Sequence, residues 1–414
     1  MRVRVLVDDL YAAGEDELFF GLAAYPNVDL RVYNPLPWRD GGYAARLILS
    51  AGELGRINHR MHNKLFIADR SFVVTGGRNI ANDYFMQDES NNFVDLDVLA
   101  SGPVVGDFSD VFDRYWNSAR AYPIEQVVSR PTRGLSPEEA RSRFDALVRD
   151  APGLPEAARD VLGHAPVAQT LDDGALPQVF ATATVYADDP IKVGGTTDPT
   201  APGATVGTQT LARFAAAKTT VQMISPYFIA GERGLELMRE GIRAGGKVEL
   251  ITNSFASTDE PLVYGGYARY RLAMLKAGVR IYELGTELSN RFGKLGDFRR
   301  SLGRLHVKSA LIDDRYLFIG SMNMDPRSAN ANTESGMFID SPELVLAPNG
   351  AGALRDMLKS SAYELRLTPD GRHIVWIEHR PDGTSVEHTR EPGLGWWQRA
   401  KLRLLQTFVG EDLL

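Results

Sequence analysis

One block of residues occurs twice in this chain of 414 residues. The first copy is His62-Asn63-Lys64, followed by Asp69, Gly76, Gly77 and Asn79; the second is His306-Val307-Lys308, followed by Asp313, Gly320, Ser321 and Asn323. Both read H-x-K-x4-D and then G-[GS]-x-N, and each His stands 17 residues before its Asn. The flanks repeat as well: VRVLVDD (3–9) matches VELITNS (248–254), and LRVYNP (30–35) matches VRIYEL (279–284). Alternating strand and helix patterns surround both copies, so the expected fold is α/β, built from two units related by duplication.

The second copy is preceded by a strand and helix at 220–245, whereas the first starts directly at the equivalent of 248–254. The N-terminal unit is therefore expected to lack its first βα unit and to leave a sheet edge open. The units are set at 1–165, 166–345 and a C-terminal extension, 346–414. Ser136-Pro137-Glu138-Glu139 predicts a capped helix start. The Gly-, Pro- and Thr-rich stretch 188–207 reads as a linker or long mobile loop. MRVRVLVDDL is too short and acidic for a signal peptide and reads as a strand, so no leader is expected. No run of about 18 apolar residues is present, so no transmembrane helix is expected.

The chemistry follows from the residue types. In a strand, residues i and i+2 face one side, so His62 projects with Lys64 and His306 with Lys308. Asp69-Arg70 and Asp313-Asp314 are turn chemistry; folding back there brings Asn79 beside His62, and Gly76 and Gly320 leave room for a substrate near the backbone. A phosphodiester needs cationic and amide donors for its oxygens, offered by Lys64, Lys308, Asn79 and Asn323. It needs a nucleophile and a proton donor for the leaving alkoxide, and two imidazoles can divide those tasks. No metal or other cofactor is required by this scheme. Asp69 and Asp313 are carried with the catalytic set as motif members, as turn formers or salt-bridge partners without a proton-transfer role. There is no cysteine, which removes Cys nucleophiles and thiolate metal sites. The net charge of −7 argues against nucleic acid as partner, although Arg291, Lys294, Arg299, Arg300 and Arg304 cluster before the second block as a solvated loop or a phosphate collar.

The paired H-x-K-x4-D blocks resemble the phospholipase D superfamily. RMHNKLFIAD with GGRNIANDYF, SPYF, and LHVKSALIDD with GSMNMDPRSANANTE look more narrowly like bacterial cardiolipin synthases, and FVDLDVLASGPVV with the Trp-rich C-terminal end resembles the C-type. The resemblance implies two pseudo-twofold-related α/β domains with one site between them. It implies that His62 is the nucleophile forming a phosphatidyl-histidine, and His306 the general acid and then the base. Glu334 and Asp95 would orient the histidines. It also implies phospholipid substrates, phosphatidylglycerol or a second phospholipid, and a peripheral place at the cytoplasmic side of the bacterial inner membrane. The alternatives are a hydrolase with the same site, a phospholipase D or nuclease in which water replaces the lipid alcohol, and a non-catalytic scaffold. In GWWQRAKLRLLQTFVG, Trp397, Ala400, Leu404, Leu405 and Phe408 form one stripe, which fits either a membrane-surface helix or packing on the protein's own core.

Overall fold

The computed structural model describes residues 1–12, 14–39, 43–88, 90–128, 132, 134–151, 160, 162–194, 201, 203–285, 302–398 and 400–402. The first half contributes β1 (Val3–Asp8), β2 (Val28–Tyr33), β3 (Leu65–Ala68), β4 (Phe72–Gly76), β5 (Asn91–Val94), β6 (Asp97–Ser101) and β7 (Ala121–Pro123). The second contributes β8 (Thr182–Ala187), β9 (Thr220–Ile224), β10 (Lys247–Asn253), β11 (Arg280–Leu284), β12 (Leu302–Leu305), β13 (Ser309–Ile312), β14 (Tyr316–Gly320) and β15 (Ser335–Asp340). After these come β16 (Ala362–Leu367), β17 (Ile374–His379) and β18 (Ser385–His388).

In the second half one ten-stranded sheet runs β18-β17-β16-β11-β10-β9-β13-β14-β15-β8, whereas the first half has two three-stranded sheets, β1-β2-β7 and β3-β4-β6. The repeat explains the difference. β9 lies parallel to β10 on one side and antiparallel to β13 on the other. Among the described residues it has no counterpart between β1 and β3, so a single missing strand splits one sheet into two. The flanking pieces keep their relation. Asp8 Oδ2, at the end of β1, accepts the Met61 backbone N–H at 2.9 Å, as Asn253 Oδ1, at the end of β10, accepts that of Leu305 at 3.0 Å. The incomplete first unit expected from the sequence is thus present, with open edges at β1 and β3.

Three local expectations need correction. Of the residues set apart as 346–414, β16 pairs with β11 in the main sheet, and buried Glu391 is held by Arg271 at 3.1 Å. The stretch 188–207 is fixed at its start, where Asp188 and Lys192 form a buried ion pair of 2.6 Å. The His–x–Lys segments, read as strand, are not: His306–Lys308 breaks the strand between β12 and β13, and Asn63–Lys64 lies before β3. The helix Pro137–Asp150 starts as expected, with a reciprocal capping box between Ser136 and Glu139. The basic cluster at 291–300 and the stripe residues Leu404, Leu405 and Phe408 lie outside the described residues. Trp396 and Trp397 are 63% and 69% exposed and stack on each other at 3.8 Å, so at these two positions the protein's own core is not the partner. No helix among the described residues is long and apolar enough to cross a membrane.

One core runs through both halves. Val73, Val94 and Phe108 of the first pack with Ile224, Leu284 and Leu311 of the second. Hydrophobic contact is continuous across the seam between the halves. The glycines of the repeat serve the backbone rather than a substrate. A Cβ on Gly320 would sit 2.5 Å from the Ser335 carbonyl oxygen and 2.7 Å from Gly336 Cα, and one on Gly76 would meet Asp97 and the Leu96 carbonyl. Gly320→Ala is accordingly expected to push β14 from β15 and cost about 1–3 kcal/mol in urea unfolding; unchanged stability would contradict this close approach.

Candidate active site

Each histidine is placed by a short parallel pairing with the other half. β12 pairs with β5 in register Leu305↔Val94, and the next residue, His306, donates its N–H to the Val94 carbonyl at 2.8 Å. The counterpart is an isolated parallel bridge between Met61 and Thr333, with the His62 N–H donating to the Thr333 carbonyl at 2.9 Å. The residue after each acceptor is a buried carboxylate: Asp95 after Val94, Glu334 after Thr333. The side chains close the same loops. His62 Nδ1 lies 2.9 Å from Glu334 Oε2, and His306 Nδ1 lies 2.7 Å from Asp95 Oδ2. The carboxylate of each half therefore holds the imidazole of the other, and the two blocks share one site.

The lysines curl back on their own strands. Lys64 Nζ donates to the His62 carbonyl and Lys308 Nζ to the His306 carbonyl, both at 2.8 Å. Burial lowers their pKa values, to about 8 for Lys64 and about 7 for Lys308, despite the nearby carboxylates. Burial also lowers His62, partly offset by Glu334. It holds His306 well below its ordinary value, helped by the positive charges of Lys308 and Lys64. Burial raises Asp95 to about 6. Burial works against the Glu334 charge too, but His62, Lys64 and the Ser321 hydroxyl outweigh it and hold that carboxyl below its ordinary range. Near neutral pH both imidazoles are neutral and both carboxylates ionised. An ionised carboxylate only accepts, so the imidazole proton sits on Nδ1 and each Nε2 carries a lone pair.

Symmetry ends at those lone pairs. The His62 side chain is 22% exposed, that of His306 5%. Among the described residues no hydrogen bond reaches Nε2 of His62. Nε2 of His306 lies 3.4 Å from the Tyr84 hydroxyl, which accepts a bond of 2.8 Å from Asn79 Nδ2. Tyr84, Phe93 and Tyr227 surround the His306 ring at centroid distances of 4.9, 5.2 and 6.3 Å. Asn79 is thus engaged with Tyr84 beside His306, not with His62. Asn323 is its counterpart, with a buried carboxamide oxygen that has no hydrogen-bond partner among the described residues. The carboxylates are held differently as well. Ser321 Oγ donates to Glu334 at 2.5 Å, while Gly77 leaves the space that the Asp95 carboxylate fills.

Asp69 and Asp313 leave the catalytic set. They occupy tight hairpin turns with φ of +49° and +54°, seven residues beyond their histidines, or roughly 20 Å along extended chain. Asp313 caps the entry to β9, accepting the N–H groups of Lys218, Thr219 and Thr220. Sequence reasoning missed Tyr84 and Phe93 as neighbours of His306, and Asp188, which accepts the Glu334 N–H at 3.0 Å. Tyr84 follows the first block by five residues, a signal too weak to single it out.

Residues 210–347 match a protein-family model described as "Cardiolipin synthase, PLD-like domain". Over 425 aligned residues the chain is 33% identical to cardiolipin synthase C of Escherichia coli (strain K12), covering 100% of this chain and 85% of that one. It is 30% identical over 399 residues to an uncharacterized protein of Helicobacter pylori (strain ATCC 700392 / 26695), covering 96% and 76%. The fold is similar to the crystal structure of phosphatidylserine synthase from Haemophilus influenzae Rd KW20, with a TM-score of 0.56 at 15% identity over 98% of this chain and 88% of that one. With a full-length relative at this identity, and with two histidines held crosswise in one seam, the chain belongs to the cardiolipin synthases, phosphatidyltransferases of the phospholipase D superfamily.

Proposed function

We propose that the protein makes cardiolipin by moving a phosphatidyl group from one phospholipid to the glycerol hydroxyl of another, through a covalent adduct on His62. The crossed pairs His62–Glu334 and His306–Asp95 are the observation that supports this most, because they serve two histidines in one site. His62 is the nucleophile: its Nε2 is open, and Glu334 stabilises the imidazolium that forms as nitrogen bonds to phosphorus. The phosphorus–oxygen bond to the headgroup breaks, and His306 delivers a proton to the departing alkoxide. In the second step His306 takes the proton from the incoming hydroxyl, which attacks phosphorus and frees His62.

The charges in the site suit a monoanion. Lys64, Lys308 and Arg78 stand against Asp95, Asp97 and Glu334, with Arg78 Nε 2.6 Å from Asp97. A bound phosphodiester adds one negative charge to this set. That charge favours protonation of one imidazole, which makes His306 an acid when substrate is present. The lysines and Asn323 bind the phosphoryl oxygens. The reaction takes place at the cytoplasmic face of the inner membrane, with the exposed Trp396–Trp397 pair at headgroup depth.

The pH profile tests the charge scheme. His62 must be unprotonated, and its lowered pKa puts the acid limb below about 6.5. The lysines must be charged, so substrate affinity should fall as pH rises through about 7 and then about 8. Activity is expected to peak between these limbs with KM rising on the alkaline side; a KM flat to pH 9 would remove the lysines from phosphate binding. Purified protein given labelled phosphatidylglycerol separates the reactions directly: cardiolipin supports transfer, phosphatidic acid alone indicates hydrolysis, and no product indicates a scaffold.

A further inference from the structure

A cavity of about 570 Å³ lies beside the site, under the helices Val206–Ala215 and Gly231–Arg243 and against one face of β9. Its walls are mostly apolar, among them Val221, Leu211, Phe214, Leu237, Met238 and Met322. It extends along the whole of β9, from Asn323 and Phe228 at the strand's C-terminal end to Thr219 and Lys247 at the other. Five strand residues span about 17 Å, and the thirteen-residue helix above them about 20 Å. The space is therefore an elongated groove, closed on the strand side and partly open to solvent along the helices, where Gly241 and Ala244 are exposed. An apolar cavity of about 150 Å³ holds one benzene ring, so this one has room for a chain of roughly twenty carbons.

The head of this groove shares its wall with the catalytic site. Tyr227 turns its ring toward His306 and toward Lys308 Nζ, at 6.3 and 5.8 Å, and the next residue, Phe228, lines the cavity. Ser321 donates to Glu334, and the next two, Met322 and Asn323, line the cavity. The two loops are joined, since Met324 donates its N–H to Ser225 Oγ and accepts that of Ile229. At this end Asn323 is only 6% exposed, and its carboxamide oxygen has no partner among the described residues. An unsatisfied acceptor at the mouth of an apolar groove suits an amphiphile with a hydroxyl-bearing head and a long tail.

We propose that this cavity holds one acyl tail of the phospholipid whose phosphate sits between His62 and His306. The inference rests on the phospholipid reading above. Small residues on the covering helix leave its wall open: a Cβ on half-buried Gly234 would meet only Ala230, and one on Gly241, at the exposed rim, nothing within 4 Å. Gly241→Phe and Gly234→Leu therefore fill the space without a backbone clash, and either residue suits a helix better than glycine.

The test uses full-length protein, with melting temperature as the folding control. Three substrates are compared: dioleoyl phosphatidylglycerol, dihexanoyl phosphatidylglycerol and the soluble diester bis(p-nitrophenyl) phosphate. Binding of cis-parinaric acid is followed by fluorescence. Filling the groove is expected to raise KM for the dioleoyl lipid by about tenfold or more, since even two methylenes lost from an apolar site carry that much. The dihexanoyl lipid and the soluble diester should be turned over as by the parent, and parinaric acid binding should be lost. Folded variants that bind parinaric acid like the parent, or that keep the parent's preference between the two lipids, would overturn the tail site while leaving phosphatidyl transfer standing. A parent protein that turns over no phospholipid, yet binds parinaric acid in a manner abolished by Gly241→Phe, would sink the phospholipid reading and keep the groove.

Discussion

His62→Ala is expected to abolish phosphatidyl transfer, lowering turnover by about four orders of magnitude or more. It should also leave no label on the protein after a quench with ³²P-labelled substrate. Nε2 of His62 is the imidazole lone pair in the site that no described neighbour occupies, whereas that of His306 faces Tyr84 at 3.4 Å. His306→Ala should behave differently. Loss of a proton donor costs about 10²–10⁴-fold with an alkoxide leaving group, but p-nitrophenolate needs no proton. With bis(p-nitrophenyl) phosphate the His306→Ala protein should still release a first equivalent of nitrophenolate and retain the p-nitrophenyl phosphoryl group on His62. If the label persisted in His62→Ala and vanished in His306→Ala, the two roles would be reversed.

Glu334→Gln carries the second large effect, a loss of about 10³–10⁴-fold with the fold intact. Glu334 is fully buried and accepts from both His62 Nδ1 and Ser321 Oγ. A glutamine has one acceptor oxygen for these two donors, and its NH₂ must face one of them. The imidazolium formed on attack also loses its counter-charge. Asp95→Asn should instead spare the first step with an activated leaving group, because Asp95 serves His306. Equal losses for both variants on the nitrophenyl diester would remove the division of labour between the two pairs.

The repeat made much of this arrangement legible. Two equal spacings located both histidines and both lysines, and the absent match to 220–245 located the gap in the first sheet. The crossing of the pairs was not legible in the blocks themselves. It depends on β5 meeting β12 and on Met61 meeting Thr333, contacts between segments over two hundred residues apart that no local pattern encodes. Tyr84 and Phe93 come to His306 through the same pairing. At the last position of H-x-K-x4-D the constant Asp sits in a left-handed turn, and Asp313 also anchors the entry to β9. The extension 346–414 was separated because it lies beyond the repeat, yet its strands join a sheet edge at β11.

The vacant place between β1 and β3 bears on how a solution of this protein ages. Among the described residues no strand pairs with the outer side of either, and Phe66 is exposed on β3. Such edges invite a strand from another molecule. The arginines beside and on β1 do not keep copies apart by repulsion, since Arg2 is neutralised by Asp29 and Arg4 by Asp113. Loss of active material should then follow collision kinetics, accelerating steeply with concentration. A dilute stock would keep its activity while a concentrated one at the same temperature lost it, and a short peptide with the sequence of β9 would act as a preservative by occupying the edge first.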